Sequence, residues 1–432
     1  MKLKLMVMLG GISLAAGALA LSQVGAQGNT IRVFAGSTLR PDLLQPIFDR
    51  YEKKTGTKVI LELGGATSEL QNAYLTTVLG AKDPSLDVML IDVIRPAQFV
   101  SQGWLESLDK YFGGDAQRKN FLDGYVPGPL KADTINNELW ALPATTDVQS
   151  LYYRKDLLEK YKAPVPRTWE ELIETAQKIT AAEKNPNLQG LNFQGAPIEG
   201  AVCMFLQPYW AAGGEFLDSN GKVNVNNDLA RKALNLWVDS INKYKITPAS
   251  IAEVRTDDSR RMMQQGNVLF GLNWSYAWAH FQGNGGPTSG PSSVIGKVGV
   301  ARLPAFAGSK TGSSTCQGGF QWGISSYSKN KTKAFDLIRY MSDTKAQEEF
   351  SIKGGFLPVR KSLYNNNNVL RANPHYDDLY PIVLKAKPRP VTANYPKVSE
   401  TIRTNVNAVV AGSKTVDKAL ADMQAALEPL IK

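Results

Sequence analysis

Asp87-Val88-Met89-Leu90-Ile91-Asp92 is the stretch of this 432-residue chain whose reading decides the fold. Residues 88–91 are apolar without interruption and end on a carboxylate. A short run of this kind fits a strand buried on both faces, as in a parallel sheet covered by helices. Toward the N-terminus, Lys58-Val59-Ile60-Leu61-Glu62-Leu63 and Thr30-Ile31-Arg32-Val33-Phe34-Ala35 read as two more strands. Between them Leu43, Leu44, Ile47, Phe48 and Tyr51 recur at helical spacing. Pro41 suits the first turn of that helix and Gly56 its end. A second helix spans 68–79. The order βαβαβ predicts a parallel sheet with right-handed crossovers and helices on its faces.

Toward the C-terminus the pattern changes at Trp140-Ala141-Leu142-Pro143, where a polar stretch, Ala144-Thr145-Thr146-Asp147, leads into a new strand at 148–153. Helices follow at 168–182, with Thr168 before Glu170 and Glu171 as a capped start, and at 228–244. An apolar strand at 268–272 and strands at 298–303 and 320–325 come next. Helices are expected at 331–341, 344–352, 396–410 and 415–430. A second α/β unit therefore occupies roughly 144–300. Two α/β lobes joined by more than one crossing are expected, although periodicity displays only the two units.

Composition agrees. Residues 1–26 have a basic start, an apolar run from Leu5 to Leu21 and the small-residue site Val24-Gly25-Ala26. That is the pattern of a secretory signal peptide cut after Ala26, so the mature protein is expected to be exported and, with no later apolar span, soluble. The remaining part, about 400 residues, is too long for one core. The net charge of +10 is spread among acids, the densest basic group being Lys385-Ala386-Lys387-Pro388-Arg389. Nucleic-acid binders concentrate charge on one face, so no nucleic-acid partner is expected. The two cysteines, Cys203 and Cys316, form a disulfide in an oxidising compartment more often than two free thiols. Two buried thiols are the alternative, and geometry decides.

The sequence carries no recognisable catalytic motif. His280 and His375 each lack a second ligand at metal-binding spacing. There is no Gly-x-Ser-x-Gly elbow, and the stretch from Gly290 to Lys297 has the wrong spacing for a phosphate loop. No cofactor and no metal are expected. What remains are aromatics and carboxylates where two lobes should meet, and a sugar requires both: flat rings for its apolar faces, acids and amides for its hydroxyls. Asp92 ends the apolar strand, at the edge where open α/β sheets bind ligands; a helix cap is the competing reading. Asp147 sits in the polar turn, where it could equally make local backbone bonds. Trp274, Tyr276 and Trp278 open a helix after the strand 268–272, with Trp274 and Trp278 on one helical face. Core packing competes with ligand contact there, Trp278 being the most structural of the three. Gly318-Gly319-Phe320 would bring bare backbone beside a ring.

At these segments the chain resembles the extracellular solute-binding proteins of ABC sugar importers, and among them the trehalose/maltose-binding group. The resemblance runs through Asp87–Val93, Ala97-Gln98-Phe99, Gly103-Trp104-Leu105, Leu139–Pro143 with Asp147, and 151–158. It continues in Asn273-Trp274-Ser275-Tyr276-Ala277-Trp278, Gly318-Gly319, Arg389-Pro390-Val391-Thr392 and Tyr395–Ser399. It implies a two-lobed, type II periplasmic-binding-protein-like α/β fold, with an oligosaccharide closed in a cleft between lobes joined by a multi-stranded hinge. One lobe would comprise 27–143 plus about 304–353, the other 144–303 plus about 354–432. It also implies ligand contacts from Asp92, Asp147, Trp274, Tyr276, Gly318 and Gly319, with Arg389, Phe320, Thr67 and Gln71 added, and membrane permease subunits as partners of a monomer. Phe320 stands where the family often has Trp, and Gln71 where some members have Arg. Two alternatives differ in class: a secreted glycoside hydrolase, needing two carboxylates about 5–9.5 Å apart, or the same fold carrying glycerol phosphate or a polyamine.

Overall fold

The computed structural model describes residues 29–36, 39–65 and 67–431; the expected signal peptide at 1–26 lies outside them. Its main sheet contains β1 (Thr30–Phe34), β2 (Lys58–Glu62), β3 (Val88–Asp92), β6 (Ala141–Arg154), β7 (Gln189–Asn192), β8 (Val268–Trp274), β9 (Val298–Ala301) and β10 (Gln317–Ile324). The strands β4 (Thr134–Ile135) and β5 (Glu138–Leu139) form a separate small hairpin. The order is β2-β1-β3-β10-β6-β8-β7, with β9 on β6.

β1, β2 and β3 are parallel, as the βαβαβ reading requires, and Val88 to Ile91 are at most 1% exposed. The helices Pro41–Thr55 and Ser68–Gly80 connect these strands. Gly56 closes the first helix in the left-handed region at φ 71°, with its N–H on the Glu52 carbonyl. A glycine takes that conformation without steric cost. β10 then runs antiparallel between β3 and β6.

The sequence expectation fails at β6. No turn separates 141–143 from 148–153; a single 14-residue strand runs through both. Its first half pairs with β10, its second half with β8 on one side and β9 on the other. Its backbone is paired with β10 in the first half and with β8 and β9 in the second, and Thr145, Thr146, Gln149 and Ser150 along it are buried. β6 thus crosses from one lobe to the other. The chain crosses again between β9 and β10, and a third time after the helix Thr344–Gly354, where Leu357 bridges to Thr146.

Two large apolar cores lie on either side of this hinge. One gathers residues from Ile31 to Ala144 and from Trp322 to Val359. The other gathers residues from Leu151 to Phe306, Cys316, and Val398 to Leu427. The helix Glu199–Ala211, absent from the sequence reading, is buried at every position in the second core. A helix apolar on all sides carries no amphipathic period, which is why pattern reading missed it. Cys203 on this helix is joined to Cys316 by a disulfide, Cα–Cα 5.9 Å, across 113 residues. Among the described residues no helix is long and apolar enough to cross a membrane.

Candidate functional site

The hinge strands bring together most of the residues singled out from the sequence. In the β3–β10 ladder Asp92 lies opposite Phe320; in the β10–β6 ladder Gly318 lies opposite Asp147 and Gly319 opposite Thr146. In the β6–β8 ladder Trp274 lies opposite Gln149, two residues beyond Asp147. Strand register alone therefore sets two carboxylates, a half-buried indole, a phenyl ring and two glycines around one point.

The glycines are there for contact. A Cβ on Gly318 would stand 2.6 Å from the Trp274 ring and 3.2 Å from Cβ of Asp147. One on Gly319 would stand 2.3 Å from the Thr145 carbonyl, and Gly319 has φ 125°. Its own carbonyl accepts from Val93 N–H at 3.0 Å, which ties β10 to the turn after Asp92.

Asp147 is held by three donors on one oxygen: Val148 N–H at 2.8 Å, Ser275 N–H at 2.7 Å and the Ser275 hydroxyl. Burial pushes its carboxyl up to about 6; the Ser275 and Val148 donors pull the other way, and the charge of Asp92 adds to the rise. Asp92 does not cap a helix. The helix Pro96–Ser101 has Arg95 at its N-cap and no side-chain cap, and among the described residues Asp92 accepts a hydrogen bond from Ile94 N–H, at 3.4 Å. Arg389 comes within 3.6 Å of Asp92, donates to Glu199 at 2.8 Å and to the Gln317 carbonyl at 3.3 Å, and sits 5.8 Å from the Trp274 ring centre. It is 4% exposed. Tyr395 and Ser399 donate to the same Glu199 carboxylate.

The aromatic segment differs from the sequence reading. Trp274 ends β8 and Trp278 lies in the helix Ala277–Phe281, so they do not share a helical face. Trp278 stacks on His375 at 4.1 Å, a packing role. His280 bonds to Ser289 at 2.8 Å. Burial pushes His375 down to about 3 and His280 to about 4, so both are neutral at pH 7. The Tyr276 hydroxyl donates to Asp257 at 2.9 Å.

Thr67 caps the helix Ser68–Gly80 through Leu70 N–H at 3.3 Å. Gln71 is buried against Gly36 and Gly65 and donates to the Gly65 carbonyl at 3.0 Å. It borders a cavity that Asp92 also lines. Three residues of this region were not singled out from the sequence: Glu69, Arg95 and Glu199. Each is an ordinary surface residue type whose burial depends on the other lobe or on a cavity, and no local pattern marks it.

The chain is similar to known proteins over most of its length. The family model for bacterial extracellular solute-binding proteins matches residues 35–348. A probable ABC transporter-binding protein of Deinococcus radiodurans is 34% identical over 389 residues, covering 88% of each chain. The structure of maltose-bound T. maritima MalE3 is similar at TM-score 0.84 and 33% identity, over 93% of this chain and 99% of that one. The GacH receptor of Streptomyces glaucescens, solved unliganded and with acarbose, is similar at TM-score 0.78 and 25% identity, over 93% and 98%. The proteins it matches are binding proteins. On its sequence and on its fold alike, this chain belongs to the bacterial extracellular solute-binding proteins of ABC transporters.

Proposed function

We propose that this protein captures an oligosaccharide, a maltose- or trehalose-type α-glucoside, outside the cytoplasmic membrane and delivers it to a membrane permease. One observation carries the reading: Asp92, Asp147, Trp274 and the bare backbone of Gly318 and Gly319 converge where the hinge strands meet. Carboxylates and a ring at one point match hydroxyls arranged around an apolar face. Phe320, Tyr276 and Arg389 complete the proposed site, with Thr67 and Gln71 at its edge. The cores on either side of the hinge support lobes of 27–143 plus about 304–353 and 144–303 plus about 354–432. The maltose bound to one similar structure and the acarbose bound to another support an α-glucoside in particular.

Calorimetric titration with maltose and trehalose, beside glycerol phosphate and a polyamine, tests the reading. Binding of an α-glucoside in the micromolar range is expected, equivalent to about 8 kcal/mol. Saturation by glycerol phosphate or polyamine alone would replace it. Incubation with maltose should release no glucose; release would point to a hydrolase.

A further inference from the structure

Arg95 stands in the turn after β3, its N–H on the Asp92 carbonyl at 2.8 Å. It is 4% exposed. Among the described residues its Nη1 reaches only the Gln98 amide oxygen, at 3.5 Å, and its Nε has no partner. None of the ion pairs among the described residues includes it. Its neighbours across a small cavity include Ser68, Asn72 and Asp92. Ser68 Oγ and Asn72 Oδ1 are likewise buried without partners. Buried polar groups are almost always hydrogen-bonded, and three orphans around one cavity need a common explanation.

We propose that Arg95, Ser68 and Asn72 form a subsite beside Asp92 that reads the hydroxyl groups at one end of a neutral carbohydrate. The proposal rests on the sugar-binding reading above. A guanidinium only donates, so the ligand must present acceptor oxygens to Arg95. A carboxylate only accepts, so beside Asp92 the same group must also present a donor. A hydroxyl does both; a carboxylate group would face Asp92 with nothing to donate. Arg389 next to Asp92 is already paired, with Asp92 at 3.6 Å and Glu199 at 2.8 Å, so it is not a free cation awaiting an anion.

Two variants are compared with the intact protein, with maltose as probe. Arg95→Met removes a buried cation that lacks a counter-ion, so the unliganded variant should melt at or above the wild type. Its maltose affinity should fall about ten- to a hundred-fold, the range of a lost charge-assisted hydrogen bond. Asn72→Leu fills the same cavity and should also weaken maltose while the fold is retained. Lower unliganded melting of Arg95→Met with unchanged affinity in both variants would make Arg95 structural and overturn the subsite. Binding of maltobionate but not of maltose would overturn the neutral-ligand assignment. If the wild type binds neither maltose nor trehalose, the α-glucoside reading fails separately. D-mannitol then serves as probe: a thermal shift of the wild type and not of Arg95→Met supports the subsite, and equal responses overturn it.

Discussion

Asp147 and Gly318 concentrate the chemistry of the hinge. A carboxyl that titrates near 6 when folded and near 3.8 when unfolded binds its proton more tightly in the fold. Its contribution to stability is therefore full below pH 3.8 and is lost as the pH rises through about 6. All three donors converge on one oxygen, which an amide retains. Asp147→Asn should thus raise the melting temperature of the unliganded protein at pH 7 and flatten its change between pH 4 and 6; thermal melts across that range check it. Gly318→Ala would press a methyl onto the Trp274 ring. Sugar binding should fall at least ten-fold in calorimetry, with little change in unliganded melting if the half-buried ring swings aside. The readings of Asp92 and Trp274 separate in the same way. Asp92→Ala should weaken sugar binding about ten- to a hundred-fold through lost hydrogen bonds to a charged acceptor, whereas a lost cap would lower stability by about 1 kcal/mol and spare affinity. Trp274→Ala should abolish useful affinity while the unliganded protein melts near wild type, whereas a core tryptophan would cost about 3–5 kcal/mol of stability.

Among elements, the helix Glu199–Ala211 has the most at stake. It packs against the helices Asp228–Asn242 and Tyr395–Val410, and the disulfide from Cys203 ties it to the start of β10. Closing a loop of 113 residues restrains the unfolded chain by about 4–5 kcal/mol in the chain-entropy model. Reduction, or Cys203→Ser with Cys316→Ser, should lower the melting temperature clearly and spare sugar affinity, because both cysteines are fully buried in the apolar core of the second lobe. The helix Trp169–Glu183 offers a smaller contrast. Thr168 and Glu171 form a reciprocal cap there, and Thr168→Ala should cost about 1 kcal/mol, read from denaturant unfolding.

For the whole molecule, the relation of the two lobes is what function depends on. Glu69, at the start of the helix Ser68–Gly80, reaches across the cleft. It accepts from Glu199 N–H at 2.8 Å, at the N-terminus of a helix in the other lobe, and from Arg403 at 3.1 Å. Arg40 donates to the Asn284 carbonyl at 3.0 Å, a second link between the lobes. Burial opposes ionisation of Glu69, but the donors around it and Arg403 outweigh burial and hold its carboxyl below the usual 4.5. Its stabilising contribution is present above that value and is lost as the pH falls through the lowered one. Glu69→Gln should enlarge the radius of gyration of the unliganded protein in small-angle scattering at pH 7. Saturating sugar should bring wild type and variant to the same compact form. Equal dimensions of variant and wild type without sugar would show that this clasp does not hold the lobes together.

Sequence alone determined the local features: the buried parallel strand ending on Asp92, the helix stopped by Gly56, the capped helix after Thr168 and the family resemblance. Each depends on periodicity, a cap or a residue with special backbone freedom, and such signals act within a few residues. It also placed Asp92, Asp147, Trp274 and the paired glycines as candidates. Tertiary structure alone decided that β6 passes unbroken through Asp147, because the strands that pair with its backbone come from distant parts of the chain. It decided that Trp274 belongs to a strand and Trp278 to a helix, and it buried the helix Glu199–Ala211 on every side. It alone set Glu69 against the opposite lobe and left the Arg95 Nε without a partner beside a cavity. Those outcomes depend on which surfaces meet once the chain has crossed the hinge, and burial and pairing between segments hundreds of residues apart leave no period in the sequence.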